Sequence, residues 1–363
     1  WSGDQLDLPA KLPPVEPSLR MKSAVATQYY ENVCTFSYSQ AWWTWERWER
    51  ELDWMALNGI NLPLAITGQE YVIQQVFRRL GVSQPDLDEY FTGPAFLAWN
   101  RMGNIKKYQG ALPQSFIQRQ YELQKKILER SRSFGMTPVL PSFAGFVPDA
   151  IEEMFPDAKY TRAQPWSGFW KQECCMLMLH PDSELFRMVG RMFIEEVIKA
   201  YGTDHIYSCD TFNENAPRTQ DRHYLMSSSS SVYSAMSAVD PDAVWLMQGW
   251  LFVNDRQFWG QEQIDALLSG VPTGRMIVLD LFADVFPMWS QTRHFENRPF
   301  VWCALHNFGG QTGMYGRLQR YADDFRKACD EAPKELIGLG LTMEGIEHNP
   351  IVFDLLLELR WRR

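Results

Sequence analysis

Short apolar runs alternate with longer amphipathic stretches along most of the chain. Eight of the runs are rich in β-branched or aromatic residues and have the length of strands. They are YYENVCTFSY from Tyr29, GINLPLAI from Gly59, MTPVLPSF from Met136, DHIYSCDTF from Asp204, AVWLMQGW from Ala243, RMIVLDLF from Arg275, PFVWCALHNF from Pro299 and LIGLGLTME from Leu336. The pattern therefore predicts eight strands.

The stretches between these runs repeat with the period of a helix. The clearest begin at Thr44, Ser115 and Ser183, and the last two end at Gly135 and Gly202, the residue type that most often ends a helix. The five serines at 227–231 lie inside a further helical pattern. Strand and helix alternate eight times, which predicts an α/β fold of the (β/α)8 TIM-barrel type. An open doubly wound sheet is the alternative, but neither G-x-G-x-x-G after a strand nor a P-loop supports nucleotide binding.

The 363 residues can form one large barrel. Residues 1–20 are rich in proline and lack apolar periodicity, so we expect an extended connector from an upstream domain, with residues 21–363 as the barrel. The segment FTGPAFLAWNRMGNIKKYQGALP, from Phe91, is too long for a simple connection and is expected to form an ordered functional loop.

Composition narrows the possible partners. The formal net charge is −9 without a long basic run, so we expect no nucleic-acid partner. No apolar stretch reaches the length of a membrane span, and no membrane partner is expected. The six cysteines form no C-x-x-C pair, so no metal is expected, and Cys209 and Cys303 are interpreted as small buried apolar residues. Fifteen tryptophans suit sugar binding, although core packing is the better explanation for any single tryptophan.

Carboxylates follow the fourth and eighth runs, where a barrel places its reactive groups. The fourth run ends with Asp210, Asn213 and Glu214, and the eighth ends with Glu344. An Asn-Glu pair at a strand end is typical of glycosidases, which need two carboxylates. Alone, the dipeptide fits a solvated loop glutamate better. Glu347 is expected to face solvent.

Two other chemistries are ranked lower. Asp280 and Asp284 also follow a strand, but an aspartate there can simply bind a loop backbone. A Ser-His-Asp hydrolase is disfavoured because the chain contains no G-x-S-x-G elbow and His306 has no serine candidate near it.

The chain resembles a known family along almost its whole length. The similarity is carried by YYENVCTFSYS, WERELDWMALNGINLPLA, FTGPAFLAWNRMGN, RSFGMTPVLPSFAGFVP, YGTDHIYSCDTFNE, AVWLMQGWLF, VLDLFA, WCALHNFGG and MEGIEHNP. These segments resemble the lysosomal and bacterial alpha-N-acetylglucosaminidases, glycoside hydrolase family 89. The resemblance implies a barrel that removes terminal alpha-linked N-acetylglucosamine with retention, a step of lysosomal heparan sulfate breakdown in animals.

The resemblance also implies roles for single residues. Glu214 would be the acid/base and Glu344 the nucleophile. The remaining pocket positions would face the sugar, wall the pocket or line it near the acetamido methyl: Asn32, Cys34, Tyr38, Trp99, Trp166, Asn213, Trp250, Leu281 and Leu305. We expect the apolar and aromatic surroundings of Glu214 to disfavour its charged form.

Stereochemistry supports two enzyme carboxylates independently of the family. In an alpha-linked 2-acetamido sugar, the acetamido group is cis to the leaving oxygen and cannot attack from the opposite face, so an enzyme carboxylate must supply the nucleophile. The alternative is a catalytically silent sugar-binding barrel of the same fold. The resemblance implies no cofactor, a lysosomal or secreted location and a terminal alpha-N-acetylglucosamine glycan as partner, and a homo-oligomer is possible.

Overall fold

The computed structural model describes residues 9–11, 13–14, 16–18, 20–347 and 349–362. Eight parallel strands form one curled sheet in which each of the eight predicted runs contributes one strand. These barrel strands are β1 (Thr27–Tyr30), β2 (Leu62–Pro63), β3 (Leu140–Pro141), β7 (Ile206–Ser208), β8 (Val244–Gln248), β9 (Met276–Asp280), β10 (Phe300–Ala304) and β11 (Leu336–Leu341). The predicted (β/α)8 barrel is confirmed.

The barrel closes at two places. β1 pairs with β11 in register from Thr27 opposite Gly338 to Tyr30 opposite Leu341. Between β2 and β3, the backbone N–H of Val139 donates to Pro63 at 2.9 Å, and that of Ala65 donates to Val139 at 2.9 Å. Because the strands are parallel and the sheet is closed, all eight carboxyl ends meet at one rim.

Helices surround the strands. They are α1 (Trp45–Leu57), α2 (Gln69–Arg79), α3 (Gln84–Tyr90), α4 (Leu97–Arg101), α5 (Gln114–Ser133), α6 (Ala150–Met154), α7 (Glu184–Tyr201), α8 (Arg222–Ser237), α9 (Trp250–Asn254), α10 (Gln261–Ser269), the short left-handed segment α11 (Arg293–Asn297), α12 (Leu318–Glu331) and α13 (Pro350–Leu359). The predicted helices α1, α5 and α7 are confirmed, and the five serines lie in α8.

Alternation along the strands divides the apolar residues into two cores. In β10, Val301 and Cys303 belong to the cluster inside the barrel, whereas Phe300 and Trp302 belong to the cluster between the sheet and the helices. This is the period of two expected of a strand that is buried on both faces. Cys209 and Cys303 are both buried, as predicted.

The structure departs from the predicted pattern in two places. The first run ends as a strand at Tyr30, because Glu31 has a φ of 86° and Phe36–Gln40 then forms a π-helix. The connection after β3 contains a small antiparallel sheet that the sequence did not indicate, formed by β4 (Phe146–Val147), β5 (Tyr160–Arg162) and β6 (Leu177–Leu179). Both features add structure at the carboxyl ends of strands.

The predicted connector lies partly outside the described residues, which exclude 1–8, 12, 15 and 19. Its described positions up to Arg20 are exposed and form neither helix nor strand. Its role as a connector stays a prediction. The long segment after β2 is ordered and contains α4 and a 3-10 turn at Pro94–Phe96.

Gly340 lets β10 and β11 approach closely inside the barrel. A Cβ at this position would lie 2.5 Å from Sγ of Cys303 and 3.2 Å from the Val301 side chain. Both side chains belong to the interior cluster, where little space is available for movement.

We expect Gly340→Ala to lower the free energy of unfolding by about 1–3 kcal/mol, since an added methyl overpacks this layer. Urea denaturation measures the change. In a Cys303→Ala background the same substitution should cost less, because the sulfur that the new methyl meets is gone. Gly313→Ala, where a Cβ would meet no atom within 4 Å, is the matched control. An equal loss in both backgrounds would contradict this interpretation.

Candidate active site

A cavity of about 300 Å³ opens at the carboxyl ends of the barrel strands. Every strand exit contributes to its wall, as a closed parallel barrel requires. All eleven residues named from the sequence line it: Asn32, Cys34, Tyr38, Trp99, Trp166, Asn213, Glu214, Trp250, Leu281, Leu305 and Glu344. The structure therefore brings the predicted residues together, while their individual roles stay predictions.

Glu214 follows β7 and lies between two tryptophans. The indole N–H of Trp166 donates to its Oε2 at 2.6 Å, and the indole N–H of Trp250 donates to its Oε1 at 2.9 Å. The surroundings are aromatic, as expected, but they are not purely apolar. Two N–H donors therefore hold the carboxylate in place.

Glu344 follows β11 on another side of the same cavity. The backbone N–H of Gly309 donates to its Oε2 at 2.6 Å. Burial raises the pKa of Glu344, and the charge of Glu214 raises it further, whereas hydrogen bonds from Gly309 and the Cys34 thiol lower it. Burial also raises the pKa of Cys34, so the thiol keeps its proton and can donate to Glu344.

Asn32 lines the cavity, but its amide is used within the protein. Its Nδ2 donates to the carbonyl of Thr342 at 3.1 Å, and its Oδ1 accepts from the backbone N–H of Cys34 at 2.9 Å. The family resemblance predicts that Asn32 faces the sugar hydroxyls. The structure shows that it also holds the end of β1 against the end of β11.

The side chain of Asn213 forms fewer hydrogen bonds within the protein than that of Asn32. Its Nδ2 donates to a carboxyl oxygen of Asp210. Its Oδ1 accepts no hydrogen bond from the described residues. Burial raises the pKa of Asp210 to about 7. The Asn213 carbonyl oxygen is thus the acceptor that this side chain can present to a ligand.

Aromatic rings form the walls. Tyr38 and Trp99 meet edge to face with centroids 5.5 Å apart, and Trp250 meets Phe308 in the same way at 6.2 Å. Tyr38 and Phe308 are partly open to solvent, at 43% and 40% exposure. These rings can stack on a sugar at the mouth of the cavity.

Sequence reasoning missed three lining residues, namely Met102, Asn104 and Phe308. Met102 and Asn104 lie in the long segment after β2 that the sequence predicts to be functional, one and three residues beyond the end of α4. Phe308 follows Leu305 at the exit of β10. The long segment and the exit of β10 were the available signals, but composition alone does not distinguish these residues from their neighbours.

The rival aspartates hold loops in place. Asp280 accepts from the backbone N–H groups of Met288 and Trp289, and Asp284 accepts from those of Leu305 and His306. Both are buried, and burial raises the pKa of each to about 7. Neither lines the cavity that contains the two glutamates.

Neither a cluster of metal ligands nor a membrane-spanning helix occurs in the described part of the chain. No group of three or more His, Cys, Asp or Glu side chains there could hold a metal ion. Within the same residues, no helix has the length and apolar character needed to cross a membrane. Glu347 is exposed, as expected, and accepts a hydrogen bond from Ser39 outside the cavity.

A family model described as the alpha-N-acetylglucosaminidase (NAGLU) tim-barrel domain matches residues 28–363. The chain belongs to this family. Human alpha-N-acetylglucosaminidase is 49% identical over 363 residues, which are 100% of this chain and 49% of the human protein. The chain thus spans about half the length of this curated relative.

Solved family structures share the fold closely. The family 89 glycoside hydrolase from Clostridium perfringens, in complex with 2-acetamido-1,2-dideoxynojirmycin, superposes with a TM-score of 0.88 at 30% identity, over 98% of this chain and 39% of that one. A variant of the bacterial enzyme with two Glu-to-Gln substitutions, in complex with its substrate GlcNAc-alpha-1,4-galactose, gives 0.87 at 30% identity over the same shares. The family and the barrel inferred from the sequence are therefore shown.

Gly309 combines a donor to Glu344 with a close approach to Tyr38. A Cβ at Gly309 would lie 2.1 Å from two carbons of the Tyr38 ring. Either the ring or the loop must therefore move when a side chain is added, and the donor N–H moves with the loop.

We expect Gly309→Ala to lower kcat/KM for an aryl N-acetyl-alpha-glucosaminide about 10- to 100-fold, since misplacing a group at a reacting centre by about 1 Å has effects of that order. Initial-rate kinetics measure the loss. Gly313→Ala, in the same loop and in open space, should keep activity within about threefold. Wild-type kinetics for Gly309→Ala would show that its N–H does not matter to Glu344.

Proposed function

We propose that this chain is the catalytic barrel of a retaining exo-glycosidase that hydrolyses terminal, non-reducing, alpha-linked N-acetylglucosamine. Double displacement with Glu344 as nucleophile and Glu214 as acid/base is the mechanism proposed. The observation that carries the proposal is the shared cavity. Two carboxylates from different strand exits line it, together with aromatic rings, and its volume fits a single sugar.

The size of the cavity supports an exo mode of attack. A volume of about 300 Å³ is at the lower end of the range of small-ligand pockets. Such a pocket accommodates one terminal sugar rather than an extended chain. The apolar side chains of Leu281 and Leu305 suit an acetamido methyl, and Oδ1 of Asn213 can accept from the acetamido N–H.

Glu344 has the contacts of a nucleophile. The Gly309 N–H and the Cys34 thiol both stabilise the ionised carboxylate that must attack the anomeric carbon. Attack forms a bond from a Glu344 oxygen to the anomeric carbon as the glycosidic bond breaks. Because the acetamido group of an alpha-linked sugar lies on the same face as the leaving oxygen, it cannot attack from the opposite face in place of this carboxylate.

Glu214 is suited to proton transfer. Each of its oxygens accepts one indole N–H, so a further lone pair on either oxygen can carry the proton that the leaving oxygen needs. In the second step the same carboxylate takes a proton from water, which then displaces Glu344 from the anomeric carbon. The two tryptophans keep Glu214 oriented through both steps.

The finer biological assignments rest on resemblance. Heparan sulfate as the natural glycan and a lysosomal or secreted location belong to this proposal. The substrate bound by the bacterial relative is GlcNAc-alpha-1,4-galactose. The alternative, a catalytically silent sugar-binding barrel, predicts binding of N-acetylglucosamine without turnover.

Replacing each glutamate tests the mechanism. With 4-nitrophenyl N-acetyl-alpha-glucosaminide, Glu214→Ala should lose about 10²- to 10⁴-fold in turnover, the usual contribution of general acid–base catalysis. Glu344→Ala should lose more, since no covalent intermediate can form. Proton NMR should show the alpha anomer as the first product of the wild type.

Azide distinguishes the two roles. Added to Glu214→Ala, it should intercept the covalent intermediate and yield the alpha-glycosyl azide, whereas with Glu344→Ala it should attack directly and yield the beta-glycosyl azide. Glu347→Ala, an exposed glutamate from the same strand exit, is the matched control and should remain active. A first-formed beta anomer would exclude retention, and a folded wild type that binds the sugar without turnover would favour the silent barrel.

The pH profile gives a second test. Glu344 must be ionised to attack, and burial raises its pKa, so kcat/KM should fall as the pH drops through that raised value. The midpoint of the acidic limb should lie above about 4.3, the value for an exposed glutamate. Cys34→Ala should move the limb to higher pH, because it removes a donor to the carboxylate.

Cys303→Ala serves as the control, since this buried thiol lies deep in the barrel and not beside Glu344. It should leave the limb in place. Two results would contradict the electrostatic part of the mechanism. One is an acidic limb with its midpoint at or below the pKa of an exposed glutamate, and the other is a limb that Cys34→Ala does not shift.

A further inference from the structure

We propose that Thr35 is a positioning residue for Glu344, holding the peptide group from which that carboxylate projects. The inference rests on the proposed function, in which Glu344 is the nucleophile. Thr35 is fully buried and does not line the cavity, so it cannot contact a sugar.

The regular ladder of the barrel stops just before Glu344. The β1–β11 register ends with Tyr30 opposite Leu341, and the last backbone bonds are from Glu31 to Leu341 at 2.9 Å and from Thr342 to Ala304 at 3.0 Å. The carbonyl groups of the next two residues are buried beyond this ladder. Buried carbonyls need partners, and the strands no longer supply them.

Side chains from the exit of β1 donate the hydrogen bonds that these carbonyls need. The hydroxyl of Thr35 donates to the carbonyl of Met343 at 2.7 Å, and the amide of Asn32 donates to the carbonyl of Thr342 at 3.1 Å. The Met343 carbonyl belongs to the peptide group whose nitrogen is that of Glu344. Its orientation therefore sets the direction in which the Glu344 side chain leaves the backbone.

The hydroxyl is itself fixed. Its oxygen accepts from the backbone N–H of Asn32 at 2.9 Å, which directs its single hydrogen towards Met343. Asn32 in turn accepts from the Cys34 N–H, in a turn closed by the Thr35 N–H on the Asn32 carbonyl at 3.1 Å. One rigid turn thus holds the Glu344 backbone while it presents the Cys34 thiol to the Glu344 carboxylate.

The combination is specific to the hydroxyl group. Valine has the shape of threonine but neither donates to Met343 nor accepts from Asn32, whereas serine retains both capacities. A displacement of the carboxylate by about 1 Å would lengthen its 2.6 Å contact with the Gly309 N–H beyond hydrogen-bonding distance. Loss of the hydroxyl should therefore act on the chemical step more than on sugar binding.

The test compares Thr35→Val with Thr35→Ser in the protein at its native length. We expect Thr35→Val to lower kcat about 10- to 100-fold with KM within about threefold of wild type, as for a misplaced reacting group. The acidic limb of its kcat/KM profile should also shift, because Glu344 loses its alignment with its donors. Thr35→Ser should recover wild-type kcat within about threefold.

The matched control is Thr203→Val at the opposite end of the barrel. The Thr203 hydroxyl likewise donates to an oxygen, Oδ2 of Asp240 at 2.9 Å, and accepts a backbone N–H, that of His205 at 2.9 Å. Its loss should lower the melting temperature without changing kcat or the acidic limb. Melting temperature and affinity for N-acetylglucosamine, measured for all three variants, separate unfolding from misalignment.

The outcomes are distinguishable. If the wild type is active and Thr35→Val has the same kcat and pH profile, the positioning role alone is overturned. A Thr35→Val protein that loses sugar binding and folding together with activity, without recovery in Thr35→Ser, would also overturn it in favour of a purely structural role. Activity that survives Glu344→Ala would instead overturn the proposed function on which the inference rests.

Discussion

The site depends on closure of the parallel barrel. The pairing of β1 with β11, and the backbone bonds between β2 and β3, turn a sheet with two open edges into a ring. Only in a ring do the exits of the first and last strands meet, and only there can Asn32 and Glu344 line one cavity. Closure is therefore a condition of the chemistry as well as of stability.

Within that ring, the two glutamates have different surroundings. Glu214 accepts hydrogen bonds from two side chains, Trp166 and Trp250, which also form the cavity wall. Glu344 is held by the backbone of Gly309 and by a buried turn from β1. Proton transfer and covalent attack make different demands on a carboxylate, and these unlike supports suit the roles proposed for Glu214 and Glu344.

Much of the fold and site was predictable, since both depend on local patterns. Apolar runs located eight strands, carboxylates after two of the runs made Glu214 and Glu344 candidates, and the family resemblance then selected them. The turn at Glu31–Thr35 was not predictable, because its positive φ and its contacts arise from a neighbour in space rather than in sequence. For the same reason, the sequence indicates only a sugar contact for Asn32 and gives no sign of its hydrogen bonds to Thr342 and Cys34.

Asn32 and Thr342, which join the ends of β1 and β11, are 310 positions apart in the chain. Ribosomes synthesise proteins from the amino end, so β1 emerges long before the strand that completes it. An unpaired strand edge binds other chains readily, and contacts of such long range form late. During synthesis, therefore, the edge of β1 stays unpaired until β11 emerges, and for that time a ring-shaped site leaves its first strand open to pairing with other chains.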